Sequence, residues 1–307
     1  MSGPPSAAYS IRHPGTVNPL AGLRVERLIA TGHSQSAGRL ATYVNSVHPL
    51  ARVFDAVIVH GGGAAIRTDL NLKVWKLLAE TDVILNQAAV RQPDTNSFRT
   101  WEVAGDSHVD VQFTGYSRQI SQRDGNPVAP GFVPGARGGT PASTGAASAP
   151  SSTVARPTGN VGGCDRPSYS HIPFHYVMAA AIDHMVRWVK EGTPPPSAPP
   201  IEVKEAGPPA AIVRDGHGNA LGGIRLSQHE VATATNTGQN SGPGFCRLNG
   251  SYEAFDEATL ASMYPTHAGY VAKVKQVTER NLSAGYILSA DAGATIEEAE
   301  RSNIGRR

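Results

Sequence analysis

Residues 28–38 limit the folds open to this chain more than any other part of the sequence. An apolar run ends at Gly32, Ser34 follows two residues later, and small residues then open a helix. This pattern predicts a strand that turns sharply into a helix, with the Ser34 hydroxyl raised above the edge of a sheet in a strained backbone conformation. Ser36 stands where the usual motif has a second glycine, and a serine is small enough to let strand and helix approach. We interpret the segment as a nucleophile elbow.

Further strands are expected after the elbow, and two of them end in residues that can take part in catalysis. Apolar residues at helical spacing or in short buried runs predict a helix at 37–47 and strands at 53–59, 73–78 and 98–103. The last two strands lead into Glu80 and Asp82 and into His108. The order is therefore serine, acid and histidine, which is the order of the catalytic triad in α/β-hydrolases.

Ser34, an acidic residue and His108 form the predicted triad. A serine hydroxyl needs a neutral imidazole to take its proton, and a carboxylate holds that imidazole in the required tautomer. The carboxyl ends of parallel strands meet at one edge of a sheet, so these residues can come together there. His108 is the expected general base. Asp82 is the preferred acid and Glu80 is the alternative, because residues two apart on an extended strand exit point the same way.

Other residues near the elbow are expected to complete the site. The backbone N–H of Gln35 is the predicted oxyanion donor. His60 and the three glycines after it match the oxyanion loop of some lipases, but that loop precedes the nucleophile in those enzymes and follows it here. We therefore interpret it as a flexible exit loop that shapes the pocket, and we expect His33, Gly61 and Gly62 to contact substrate.

Several phrases outside the elbow carry a resemblance to a known family. They are Asn-Pro-Leu-Ala-Gly-Leu at 18–23, Leu-Ala-Thr-Tyr-Val-Asn at 40–45, Ala-Glu-Thr-Asp at 79–82, Arg-Thr-Trp-Glu-Val-Ala-Gly at 99–105, Arg-Trp-Val-Lys-Glu-Gly-Thr-Pro-Pro-Pro at 187–196, Gly-Asn-Ala-Leu-Gly-Gly-Ile-Arg at 218–225 and Tyr-Pro-Thr-His-Ala-Gly-Tyr-Val at 264–271. With its Gly-x-Ser-Gln-Ser-Ala elbow, the chain resembles a bacterial family of α/β-hydrolase domain proteins over nearly its whole length. The resemblance implies an α/β fold with a parallel sheet core and a serine hydrolase of the carboxylic ester type, acting on a small-molecule ester.

The residues before the elbow differ from those of a complete α/β-hydrolase, which has several strands there. Residues 1–27 are rich in Pro, Gly and Ser and can form at most a turn of helix. We therefore expect the first strands to be lacking, together with the loop that normally donates a second oxyanion N–H. Either the chain is the carboxyl-terminal portion of a longer product, or later segments fill these places.

The chain divides at the end of a predicted amphipathic helix. Residues 1–192 are the expected core, with a flexible loop rich in Gly, Pro, Ala, Ser and Thr at 130–163. The helix at 172–190 is the last core helix, and Gly192 and the following prolines end it. Residues 193–307 are expected to pack on the core as an extension with a hairpin at 211–221 and helices at 256–264, 266–280 and 291–302.

Composition excludes several classes of function. The net charge of the 307 residues is +2 and no basic stripe occurs, so nucleic acid is not an expected partner. No apolar stretch reaches about 18 residues, the length needed to span a membrane, and the chain shows no secretory signal. No cysteine and histidine cluster has metal-ligand spacing, so neither a metal nor another cofactor is expected. Cys164 and Cys246 either pair in an oxidising compartment or remain two buried thiols.

The expected activity is hydrolysis of a carboxylic ester through an acyl-enzyme. An amidase or a lactonase with the same triad is an alternative, because pocket shape chooses among these substrates. A non-catalytic truncated hydrolase that retains only the fold is a further alternative. Nothing in the sequence predicts the compartment or the oligomeric state.

Overall fold

The computed structural model describes residues 7–12, 20, 22–126 and 163–306. Apart from Gly163, the loop expected at 130–163 lies outside these residues. The elements in chain order are α1 (Ala7–Arg12), β1 (Ile29–His33), α2 (Gln35–Thr42), a π-helical turn (Tyr43–Val47), α3 (His48–Ala51), β2 (Ala56–His60), β3 (Lys73–Ala79), α4 (Glu80–Asp82), a π-helical turn (Val83–Gln87), a 3-10 turn (Ala88–Val90), β4 (Phe98–Val103), α5 (Val111–Arg123), α6 (Phe174–Glu191), β5 (Val203–Glu205), β6 (Ala211–Ile212), α7 (Ser227–Glu230), β7 (Ala234–Thr237), α8 (Cys246–Asn249), β8 (Ser251–Ala254), α9 (Glu257–Met263), α10 (His267–Ser283) and α11 (Ser289–Arg301).

The core is a four-stranded parallel sheet in the order β1-β2-β3-β4. The α/β fold expected from the sequence is confirmed. The strand predicted at 98–103 is observed with the same bounds, as β4. The strand predicted at 53–59 begins later, at Ala56, because Arg52 ends the preceding helix in a left-handed conformation with φ of 46°. Within the described residues β1 is the first strand and lies at one edge of the sheet.

Helices cover both faces of the sheet because the side chains of its strands alternate. On one face, Ile58, Trp75 and Trp101 pack against α6 and bury Trp188. On the other face, the intervening residues of the same strands pack against the elbow helix α2. This second cluster of buried residues comprises Ala37, Ala41, Val44, Val57, Val59, Ile66, Leu72, Val74 and Phe98. The elbow is therefore held on a rigid, two-sided core.

Lys76 is a charged residue in the otherwise apolar interior of β3. Its side chain is buried, and Nζ donates to Gln87 Oε1 at 2.9 Å and to the Gly63 carbonyl at 3.3 Å. In the part of the chain that the structure describes, no carboxylate pairs with it. Burial lowers the pKa of Lys76 from 10.5 to about 8.

Replacing Lys76 with methionine is expected to stabilise the fold at pH 7. The lowered pKa means that burying the charged Lys76 side chain costs about 3 kcal/mol of folding free energy. Methionine avoids this cost but loses the hydrogen bonds of Nζ, which are worth about 1 kcal/mol. The unfolded chain binds more protons than the folded one, so wild-type stability rises as the pH goes from 8 to 10.5. Urea unfolding should show the variant about 2 kcal/mol more stable at pH 7, with the difference shrinking by pH 10. A difference that stays constant over this range would show that Lys76 titrates normally.

The segment after α6 closes the second edge of the sheet. Gly192 ends α6 in a left-handed conformation with φ of 77°, as the sequence predicts. The chain then returns to β4, where the Ile224 N–H donates to the Glu102 carbonyl at 2.7 Å and the Ala104 N–H donates to the Ile224 carbonyl at 3.0 Å. These bonds extend the sheet by one bridge beyond β4.

The turn and the three helices predicted after residue 192 are present, and β5, β7, β8, α7 and α8 are elements that the sequence did not predict. The turn at 211–221 is closed by antiparallel bonds, among them Leu221 N–H to the Val213 carbonyl at 2.9 Å. Asp256 and Thr266 cap α9 and α10, each accepting from a backbone N–H three residues later. No helix among the described residues has both the length and the apolar run that a membrane crossing requires.

A disulfide joins Cys164 to Cys246, with a Cα–Cα distance of 5.4 Å. It ties the segment that precedes α6 to α8, which begins at Cys246. The Leu248 carbonyl of α8 accepts from the Val109 N–H at 3.0 Å. The disulfide therefore anchors a helix that supports the residue after His108.

Candidate active site

Ser34 occupies the sharp turn between β1 and α2. Its φ of 60° and ψ of −121° lie outside the helical and extended regions, which is the strained conformation expected of an elbow. Its backbone N–H donates to the His60 carbonyl at 3.0 Å. A Cβ at Gly32 would lie 2.8 Å from the Ser36 carbonyl oxygen, so only glycine lets the strand and the helix approach this closely. The local sequence thus forces the serine outward.

Asp82 and His108 are joined by a short, buried hydrogen bond. Asp82 Oδ1 lies 2.6 Å from His108 Nδ1, and the two residues are 3% and 8% exposed. Asp82 Oδ2 accepts from the Ala79 N–H at 2.8 Å, which fixes the plane of the carboxylate. A carboxylate acceptor requires the imidazole proton on Nδ1, and this leaves Nε2 as an acceptor. That tautomer is the one a general base needs.

The loop that carries His108 is fixed independently of this pair. The Thr81 hydroxyl donates to the Gly238 carbonyl at 2.6 Å and accepts from the His108 N–H at 3.2 Å. The Asp110 carboxylate accepts from the Phe113 N–H at 2.6 Å and caps α5. Burial raises the pKa of Asp110 to about 6. The backbone of His108 is therefore tied to α4 through Thr81, and the chain after it enters a capped α5.

Glu80 lies in a different environment from Asp82. It is fully buried, and Oε2 accepts from the Gly105 N–H at 2.8 Å. Oε1 accepts from Arg214 Nη2 at 2.6 Å and from the Gly238 N–H at 3.1 Å. The expectation that Glu80 and Asp82 point the same way is wrong, because the strand exit is a helical turn, on which residues two apart face different directions. Asp82 therefore contacts the imidazole of His108, and Glu80 contacts Gly105 at the start of the loop that carries His108.

Ser34 follows β1 and His108 follows β4, both at the carboxyl ends of the strands, and His33 connects the two sites. His33, the residue before Ser34, stacks on His108 with ring centroids 4.5 Å apart. Among the described residues the Ser34 hydroxyl forms no hydrogen bond to His108.

Gly61 lies against His33 and His108, and Gly62 lies near Ser34. A Cβ at Gly61 would lie 2.8 Å from the His33 ring and 3.0 Å from His108 Cε1, and one at Gly62 would lie 4.0 Å from the Ser34 carbonyl. Their φ values of 69° and 139° also favour glycine. The Gly61 N–H donates to the Leu77 carbonyl at 2.9 Å, so it has no free donor for an oxyanion.

Comparison with known families identifies the family of the chain. The model of a family described as "Alpha/beta hydrolase domain" matches residues 6–297. The chain belongs to this alpha/beta hydrolase family. Comparisons with curated proteins and with solved structures gave no match. Membership of this family indicates a hydrolase in general. It does not indicate which bond is cleaved.

Gln35 is the first residue of α2 in this hydrolase, and the side chain is exposed. A backbone N–H in the first turn of a helix has no acceptor within that helix, and the helix dipole favours negative charge at this end. The position is therefore suited to an oxyanion. In the described ranges, no group of three or more His, Cys, Asp or Glu side chains is arranged to hold a metal ion.

Sequence reasoning did not identify several groups that support the hydrolase site. Thr81, Arg214 and Gly238 hold the turn after β3 and the loop before His108 in place. Arg214 and Gly238 are more than 130 residues from Glu80 in the chain, so no local pattern connects them. Asp106, next to this loop, is fully buried, and burial together with Asp110 raises its pKa well above the usual range.

Proposed function

We propose that this hydrolase cleaves carboxylic esters with Ser34 as nucleophile, His108 as general base and Asp82 as the orienting acid. The observation that carries the proposal is the 2.6 Å bond between buried Asp82 and His108, at the same sheet edge as the strained Ser34. A buried carboxylate that holds an imidazole in one tautomer has an evident use when a strained serine stands beside it.

The reaction runs in two halves. The Ser34 hydroxyl gives its proton to His108 Nε2 while its oxygen attacks the ester carbonyl, and the negative charge on the carbonyl oxygen is met by the Gln35 N–H. The imidazolium then gives the proton to the leaving alcohol, and an acyl-enzyme remains on Ser34. Water, deprotonated by His108, attacks the acyl group, and the released Ser34 oxygen regains the proton. Asp82 stabilises the imidazolium in both halves.

An ester is preferred to an amide on energetic grounds. Within the described residues Gln35 provides the one oxyanion donor that we identify, and a missing donor typically costs about 10²–10³ in turnover. An alkoxide leaves more readily than an amide nitrogen, so an ester tolerates the weaker oxyanion site. We expect small esters with short acyl chains to be the best substrates.

A panel of p-nitrophenyl acetate, butyrate and octanoate, with p-nitroacetanilide and a small lactone, tests the proposal at pH 7.5. We expect slow but measurable turnover of the short esters and none of the anilide. Ser34→Ala should lower turnover by at least about 1,000-fold, whereas Ser36→Ala, two residues along the same elbow and exposed, should retain it. Preferential cleavage of the anilide or the lactone would favour the amidase or lactonase alternative. An equal rate in Ser34→Ala would exclude Ser34 as nucleophile.

A further inference from the structure

A column of stacked rings runs from the core to the catalytic histidine. Phe174 of α6 stacks on His60 with centroids 4.6 Å apart, His60 on His33 at 4.2 Å, and His33 on His108 at 4.5 Å. The planes of the three pairs are inclined by 14°, 22° and 29°. The end of this column that lies in the core is fixed by a long helix and the other end is the ring of His108.

His33 contacts the face of the His108 ring, whereas Asp82 contacts only its Nδ1 edge. The hydrogen bond from Asp82 holds one edge of the imidazole and leaves the ring able to tilt about that bond. The face of His33 blocks this tilt from one side. Gly61 makes the contact possible, since a Cβ there would collide with both rings.

The charges around His33 favour the same role. His108 and Asp82 are the titratable groups that act on the pKa of His33, His60 stacks on its ring, and Asp82 is directed at His108. Burial lowers the pKa of His33 to about 4 and also lowers that of His60, so both rings are neutral at neutral pH. A neutral aromatic face stabilises a cation placed over it, whereas a second imidazolium would repel it. His33 Nε2 is buried and has no hydrogen-bond partner in the described residues, and a hydrogen bond between the His33 ring and the His108 backbone acts against the effect of burial on its pKa.

We propose that His33 is a positioning residue whose neutral ring face holds the imidazole of His108 in the plane that joins Asp82 to Ser34. This role rests on the proposed function, because it concerns the same general base. It predicts that a flat, uncharged ring is required at position 33 and that the imidazole nitrogens are not.

The test compares His33→Phe, which keeps a flat ring, with His33→Leu, which keeps volume but loses the face. His171→Leu is the matched control, since His171 is also half-buried and stacks on an aromatic ring, that of Tyr252 at 3.8 Å. With p-nitrophenyl acetate we expect kcat of the control His171→Leu within about threefold of wild type, and kcat of His33→Phe at least about tenfold above that of His33→Leu. We expect kcat of His33→Leu to fall roughly 30- to 100-fold with KM nearly unchanged, the size of effect that misplacing a catalytic group produces.

The pH profile and a proton resonance separate positioning from general damage. The midpoint of the acid limb of the kcat–pH profile should be the same in His33→Phe as in wild type, because the His33 ring carries no charge near neutral pH. The downfield resonance of the His108 Nδ1 proton should persist in wild type and His33→Phe, broaden or vanish in His33→Leu, and be absent in Asp82→Asn. Should His33→Leu fail to fold, His33→Ala provides the same comparison with a smaller side chain.

Two results would overturn the proposal. A wild-type rate and an intact resonance in His33→Leu would show that the ring face is not needed. A loss in His33→Phe as large as in His33→Leu would show that the imidazole itself is required. If wild type hydrolyses no ester, the proposed function fails, but the resonance still decides whether His33 positions His108.

Discussion

Asp82→Asn is expected to lower kcat of ester hydrolysis by about 10⁴-fold and to leave the fold intact. Asp82 Oδ2 accepts from the Ala79 N–H, and the side-chain oxygen of asparagine can keep that bond. Its amide group then faces His108 Nδ1 and donates to it. The imidazole proton moves to Nε2, so His108 can no longer take the proton of Ser34. The measurement is kcat with p-nitrophenyl acetate, with thermal unfolding as the check on folding.

Glu80→Gln is the matched control for this prediction, two residues away and equally buried. Gln keeps the size of the side chain but weakens the pairing with Arg214 and the backbone bonds to Gly105 and Gly238. We expect a loss of about 2 kcal/mol in the free energy of unfolding and a kcat within about tenfold of wild type. A larger loss of kcat in Glu80→Gln than in Asp82→Asn would make Glu80 the catalytic acid.

Removal of the disulfide is expected to have the largest effect on stability. Cys164 and Cys246 are 82 residues apart in the chain and both are buried. Constraining a loop of this length in the unfolded chain contributes roughly 4 kcal/mol. The double variant Cys164→Ser, Cys246→Ser should therefore lose about this much in urea unfolding, and wild type unfolded in a thiol reductant should lose a similar amount. A loss below about 1 kcal/mol in both experiments would mean that the disulfide does not stabilise the fold.

The sequence predicts the elements of the core because their signals are local. The apolar run before Gly32 and the serine two residues later specify a strand and a turn whatever the rest of the chain does. The strand at 98–103 is bounded by its own apolar residues and by Gly105 in the same way. The caps at Asp256 and Thr266 likewise depend on the next three residues alone.

The parts that the sequence does not predict depend on contacts between distant residues. The exit of β3 was expected to be extended, but it turns into a helix, and this change of period separates Glu80 from Asp82. The partners of Glu80 come from residues 214 and 238, beyond the reach of any motif. The stack of His33 between His60 and His108 has the same cause, because His33 and His60 end β1 and β2, His108 follows β4, and the three meet only when the sheet forms.

The most direct test of the triad is covalent labelling of Ser34 by a fluorophosphonate, followed by mass spectrometry of the digested protein. A serine is phosphonylated at neutral pH only when a neighbouring base activates it. We predict one adduct on the peptide that contains Ser34 in wild type and in Ser36→Ala, and none in His108→Ala. An unlabelled wild-type protein, or equal labelling of Ser34 in the absence of His108, would contradict the account.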